Sequence, residues 1–171
     1  MIFSNKGVIL IFGPAVVLLA LTSVSAQSAT RVDLKLDGLP QTVKPGKKFE
    51  AKITAKIEDG WHVYGLTKIP SGPIPTQITV DQGQPFTLSG EIASPVPTVD
   101  RDSAFGVEVE FYQGDAEFTL PIKVDAKARP GKRQLAVSIR FQVCSGSMCL
   151  RPQTVKLTAP VTIRSSAKPV R

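Results

Sequence analysis

Apolar and polar residues alternate along most of this chain. Val32, Leu34 and Leu36 are separated by polar positions, as are Phe49, Ala51, Ile53, Ala55 and Ile57. The same holds for Phe105, Val107, Val109 and Phe111, for Phe118, Leu120, Ile122 and Val124, and for Leu135, Val137, Ile139 and Phe141. A period of two over five or more residues is the pattern of a half-buried strand. No window of comparable quality has a helical period. Pro45-Gly46 and Pro130-Gly131 predict type II turns just ahead of strands, because Pro presets the first turn position and Gly takes the positive φ of the second. Gln113-Gly114-Asp115 predicts a hairpin turn, and the segments Pro70 to Pro75 and Pro95 to Pro97 predict loops. Eight or nine strands with frequent turns predict an all-β fold, an immunoglobulin-like antiparallel β-sandwich, with an antiparallel barrel as the alternative. Phe49, Ile53, Ile57, Val107, Val109, Leu120, Ile122, Val137 and Ile139 are expected to point into one core.

The first residues break this pattern. Lys6 is the only side-chain charge before Arg31, Val8 to Leu21 is almost wholly apolar, and Val24-Ser25-Ala26 has the small-x-small form of a signal-peptidase site. Residues 1–26 are therefore expected to be a secretory signal, too short in its apolar run for a spanning helix. The domain is expected over 27–164 and a frayed tail over 165–171. With no second apolar run, no stable membrane insertion is expected after cleavage, and the compartment is extracytoplasmic and oxidising.

Composition narrows the chemistry. Apolar residues are 42% and charged residues 20%, which is globular and not disordered. Two Cys and one His exclude a zinc site of four cysteines, or of two cysteines and two histidines, within one chain. A Ser-His-Asp hydrolase would have to use His62, and neither a P-loop nor a G-x-G-x-x-G is present. No cofactor and no resident metal are expected; Met148 between the cysteines keeps weak Cu(I) binding open. Net charge is +7 and unevenly placed: every residue from Ala126 to Arg171 is basic or uncharged. Nucleic acid is a poor partner for a secreted protein without interleaved aromatics. A solvated basic face is the plainer reading.

Both cysteines lie in that basic stretch, in Phe141-Gln142-Val143-Cys144-Ser145-Gly146-Ser147-Met148-Cys149-Leu150-Arg151-Pro152. A disulfide closing so small a loop contributes only about 2 kcal/mol by chain entropy. The pair is expected at a hairpin mouth, within reach of another thiol. Arg140 and Arg151 flank it, and nearby cations lower a free thiol from about 8.5. On spacing alone a redox-active pair, a structural disulfide and a metal-ligand pair all remain open. Lone His62 beside Trp61 reads more readily as a packed residue than as a ligand or a tuning group. Trp61 and Tyr64 read as core or rim.

This cysteine segment resembles that of the N-terminal periplasmic domain of the thiol:disulfide interchange protein DsbD family: an aromatic residue, Gln, Cys, a few small or polar residues, Cys, an apolar residue, then Pro. Gly60-Trp61-His62-Val63-Tyr64-Gly65 is similar to a strand of that family. Ala104-Phe105-Gly106 and Phe118-Thr119-Leu120-Pro121-Ile122 are similar to its cap-loop strand and the strand pairing with it. The resemblance implies an immunoglobulin-like sandwich with Cys144 and Cys149 carrying the chemistry at one end. It implies a periplasmic module that relays reducing equivalents between thioredoxin-like proteins, with disulfide isomerases and cytochrome c maturation factors among the acceptors. It also implies that Cys149 forms the mixed disulfide, that Phe105 caps the pair, and that Asp102 is the nearby acid. Ser103-Ala104 stands where that family can carry an acidic-aromatic pair. The chain resembles a stand-alone version whose electron donor is another protein.

Overall fold

A computed structural model describes residues 31–103, 105–146 and 148–165. The expected signal segment, and the expected tail beyond Ser165, lie outside the described residues. Twelve strands and no helix appear among those described. The long ones are those with long alternation. Strands β1 (Val32–Asp37), β3 (Lys48–Ile57) and β9 (Asp115–Val124) pair antiparallel, and β6 (Phe86–Leu88) adds to β9. A second sheet orders β2 (Thr42–Val43), β12 (Gln153–Ile163), β10 (Gly131–Phe141) and β5 (Gln77–Val80). Only β2 runs parallel to its neighbour. A third sheet orders β11 (Val143–Cys144), β4 (His62–Tyr64), β8 (Glu108–Tyr112) and β7 (Thr98–Arg101).

The sheets close on one core. Ala51, Ile53, Leu120, Ile122, Leu135 and Val137 are all fully buried in it. Val63, Tyr112 and Val143 bring one face of the third sheet into the same cluster. The result is an immunoglobulin-like β-sandwich, as the alternation predicted.

Two expectations change. Val107 and Val109 do not join the main core. They pack with Tyr64, Cys144, Ile69 and Phe111 in a second cluster. The cause is register: Val63 faces Tyr112 and Tyr64 faces Phe111 across β4 and β8. One face of that sheet therefore takes Val63 and Tyr112 to the core, and the other takes Tyr64, Val109 and Phe111 away from it. Phe49 joins the main core as expected, half-buried and edge-on to buried Phe86. The turn at Gln113-Gly114-Asp115 joins no hairpin, since β8 and β9 lie in different sheets. Gly114, at φ +64°, takes the left-handed turn, and its carbonyl accepts the Ile57 N–H at 2.8 Å. The Pro45-Gly46 turn is as expected: Gly46 has φ +75° and the Lys47 N–H donates to the Lys44 carbonyl.

Candidate functional site

The outward face of the third sheet, away from the core, carries the cysteines. β10 ends at Phe141, and the chain continues through β11 to a tight reversal. There the Ser145 N–H donates to the Met148 carbonyl at 2.8 Å. Beyond it Cys149 returns antiparallel to Cys144. The Leu150 N–H bonds the Val143 carbonyl at 2.9 Å, and the Gln142 side-chain amide donates to the Leu150 carbonyl at 3.1 Å. Cys144 and Cys149 form a disulfide with Cα atoms 4.1 Å apart. The two sulfurs sit in different environments. Cys144 is 1% exposed and belongs to the second cluster, whereas Cys149 is exposed and lines a cleft of about 550 Å³.

β4 supplies one wall of that cleft. His62 stands directly across from Cys144 in the antiparallel pair. Its ring lies 5.2 Å from that of Tyr64 and 5.1 Å from that of Phe111. Burial holds His62 below its ordinary value, and Asp102 opposes that shift. Gly65 allows β4 to lie close to β8: its N–H reaches the Glu110 carbonyl at 2.6 Å, and a Cβ there would sit 2.8 Å from Glu110 Cβ. The buried Thr76 hydroxyl donates to the Tyr64 carbonyl at 2.7 Å and anchors the strand's end.

The loop after β7 supplies the opposite wall. Asp102 organises it: one carboxylate oxygen accepts the Phe105 N–H at 3.0 Å, and its carbonyl accepts the Gly106 N–H at 2.8 Å. The other carboxylate oxygen accepts the Tyr64 hydroxyl at 2.8 Å, tying loop to strand. Burial first, then this bond, push the Tyr64 phenol far above its ordinary range, so it stays protonated. Phe105 is 38% exposed and stands edge-on to Tyr64 at 6.3 Å, lining the cleft with Cys149 and Met148. The strand expected from Phe105 onward starts only at Glu108, because Gly106, at φ +68°, turns the chain first.

Of the site residues expected from sequence, Cys144, Cys149, Phe105 and Asp102 come together here. Arg140 and Arg151 do not line the cleft. Arg140 points outward from β10 between Gln77 and Thr154 and borders the segment Lys68 to Pro75. Alternation on the strand sends it to the surface. The charges that line the cleft are Asp100, Arg101 and Asp102, so the surroundings are mixed and not wholly basic. Tyr64 and His62, read from sequence as packing residues, are cleft residues. Their signal was the two-residue spacing that puts both on the Cys144 face. Among the described residues no three His, Cys, Asp or Glu side chains gather as a metal site.

An immunoglobulin-like sandwich whose disulfide opens on a cleft at one sulfur fits a class, the thiol-disulfide exchange domain, and the family match shows it. Residues 35–160 match the family described as thiol:disulfide interchange protein DsbD, N-terminal, and the chain belongs to it. Among solved structures it is similar to the DsbD N-terminal domain of Neisseria meningitidis in the reduced form, at 16% identity, TM-score 0.46, over 71% of this chain and 85% of that one. It is also similar to the N-terminal periplasmic domain of ScsB from Proteus mirabilis, at 14% identity, TM-score 0.48, over 75% of this chain and 45% of that one. A lower score, 0.41 at 12% identity, relates it to the pilin subunit BcpA of Bacillus cereus over 77% of this chain and 39% of that one. No curated protein matches the sequence. DsbD N-terminal domains are periplasmic, and among the described residues no helix is long and apolar enough to cross a membrane.

Proposed function

We propose that this domain relays reducing equivalents between thioredoxin-like proteins in the periplasm, with Cys149 as the sulfur that partners engage and Cys144 as the resolving one. The unequal exposure of the pair carries the reading: Cys149 opens into the cleft and Cys144 is buried. To load the domain, a thiolate of a reduced partner attacks Cys149 Sγ. The partner–Cys149 disulfide forms and Cys144 leaves as a thiolate. The partner's second thiol then attacks its own linked sulfur, freeing Cys149 and leaving the partner oxidised. To unload it, the Cys149 thiolate attacks an acceptor disulfide. Cys144 then attacks Cys149 Sγ, the intramolecular disulfide returns, and the acceptor departs as a dithiol. Phe105 and Met148 bound the route to Cys149. Phe105 is proposed as the cap and Asp102 as the residue that holds its loop, bonded to Tyr64.

Single-cysteine variants test the assignment. With a thioredoxin-like partner that keeps only its attacking cysteine, activated as a mixed disulfide with thionitrobenzoate, Cys144→Ala should displace thionitrobenzoate and accumulate a mixed disulfide through Cys149, and Cys149→Ala should trap far less. A relay pair must also lie between donor and acceptor, at roughly −270 to −180 mV. Free thiols counted by alkylation after equilibration in graded dithiothreitol buffers measure this. A pair that stays oxidised where thioredoxin is fully reduced, with neither variant trapping a partner, would make the disulfide merely structural.

A further inference from the structure

The end of the sandwich opposite the cysteines gathers cations that form no ion pair with a carboxylate among the described residues, the Arg133 guanidinium donating only to the Lys132 and Arg129 carbonyls. Three segments meet there. Lys44, Lys47 and Lys48 lie on the turn into β3, which is held to β9 by bonds from Gly46 N–H to the Val124 carbonyl and from Val124 N–H to the Lys47 carbonyl. Lys123 lies in the last residues of β9, Lys127 and Arg129 follow on the turn out of it, and Lys132 and Arg133 open β10. Arg164 follows β12 directly, its N–H bonded to the Val43 carbonyl, and Gly131 faces Ile163 across the sheet. Lys48 and Lys123 stand directly opposite each other, a like-charge pair that weakens the sheet. Asp125 is the one carboxylate in these segments, and it accepts the Lys127 N–H. The ion pairs among the described residues, of Arg31, Lys35, Lys52 and Lys156, involve none of these cations.

We propose that this basic end docks on an anionic phospholipid surface. Two observations favour a bilayer over an acidic protein. A specific protein interface needs an apolar centre, and the large exposed apolar residues, Val96, Val99, Phe105 and Met148, all lie elsewhere. The end is built of turns, and its charges are mostly lysine, the compact point charge that suits a diffuse layer of headgroups. Docked this way, the domain stands with the length of β10, roughly 30 Å at strand rise, between membrane and disulfide. The cleft then faces away from the lipid and stays open. The proposal is independent of the thiol chemistry.

Vesicle sedimentation tests it. The purified protein is mixed with phosphatidylcholine vesicles with and without phosphatidylglycerol; the difference cancels any binding through the apolar residues 8–21. At about 50 mM salt, phosphatidylglycerol should strengthen binding, and about 0.5 M salt should abolish the gain. Each cation near an anionic surface strengthens binding roughly fivefold, so Lys44→Ala, Lys47→Ala and Lys132→Ala together should weaken it about 100-fold. The matched triple Lys35→Ala, Lys56→Ala and Lys68→Ala, with the same net charge but changed elsewhere, should weaken it far less. No gain from phosphatidylglycerol, or equal loss in both triples, would overturn the proposal. Salt-sensitive binding to polyglutamate without binding to vesicles would reassign the surface to an acidic protein partner.

Discussion

His62 is half-buried against Tyr64 and Phe111 and stands across from Cys144, so its charged form is disfavoured in the fold. A histidine held below its ordinary value binds its proton more readily unfolded than folded. Stability therefore rises with pH through the window between the lowered value and the ordinary 6.5, and is lost as pH falls through it. Urea denaturation from about pH 5 to pH 8 should show this gain in the wild type and not in His62→Phe. An imidazole that titrates at or above its ordinary value by NMR would contradict it. Phe105 permits a second residue-level test. If it covers the approach to Cys149, Phe105→Ala should speed reduction of the disulfide by a small thiol several-fold without altering stability; an unchanged rate would remove it from the cap. Asp102, Phe105 and the cysteines stand out in the sequence because they fall in or beside segments that resemble the family, and the fold brings these residues to one cleft. For Tyr64 and His62 the two-residue spacing puts both on one face, but only the pairing of β4 with β11 turns that face toward Cys144. The flanking arginines show the limit of sequence adjacency: Arg140 has the parity of Cys144, but β10 pairs with β5 and β12 while β11 pairs with β4, so the two residues belong to different sheets.

Strand length decided what could be read at the level of elements. β3, β9 and β10 hold ten or eleven residues each, enough for a period of two to repeat. β2, β4, β6 and β11 hold two or three, too few for any period, yet β4 and β11 position His62 and Cys144. Alternation also cannot tell which buried surface a strand faces. Val109 was legible as buried but not as belonging to the second cluster, because its register against β4 is a tertiary fact. The two clusters should respond differently to truncation. Leu120 is fully buried at the centre of β9, so Leu120→Ala should cost about 2–5 kcal/mol. Val107 is only partly buried at the edge of the second cluster. Val107→Ala should cost less globally, and its effect should appear in the reactivity of Cys149. Equal destabilisation in urea would mean that the two clusters act as one core.

Across the whole molecule, the disulfide and the fold are separable. The core joins three sheets through side chains such as Leu120, Val137 and Val63, one from each sheet and none of them a member of the Cys144–Cys149 bond. The bond closes a loop with a sequence separation of 5, spanning one reversal and linking no distant strands. A loop this short constrains the unfolded chain by only about 2 kcal/mol. Exchange chemistry requires such a separation, since a domain that unfolded on reduction could not hold Cys149 ready for its acceptor. Reduction should therefore leave the far-ultraviolet circular dichroism unchanged and lower the melting temperature by roughly 5–10 °C, the shift that about 2 kcal/mol produces in a domain of this size. Thermal melts with and without dithiothreitol, with free thiols counted in each sample, make the measurement. Cooperative loss of strand signal on reduction at 25 °C would show that the bond is a staple of the sandwich and would remove the basis for reversible exchange at this site.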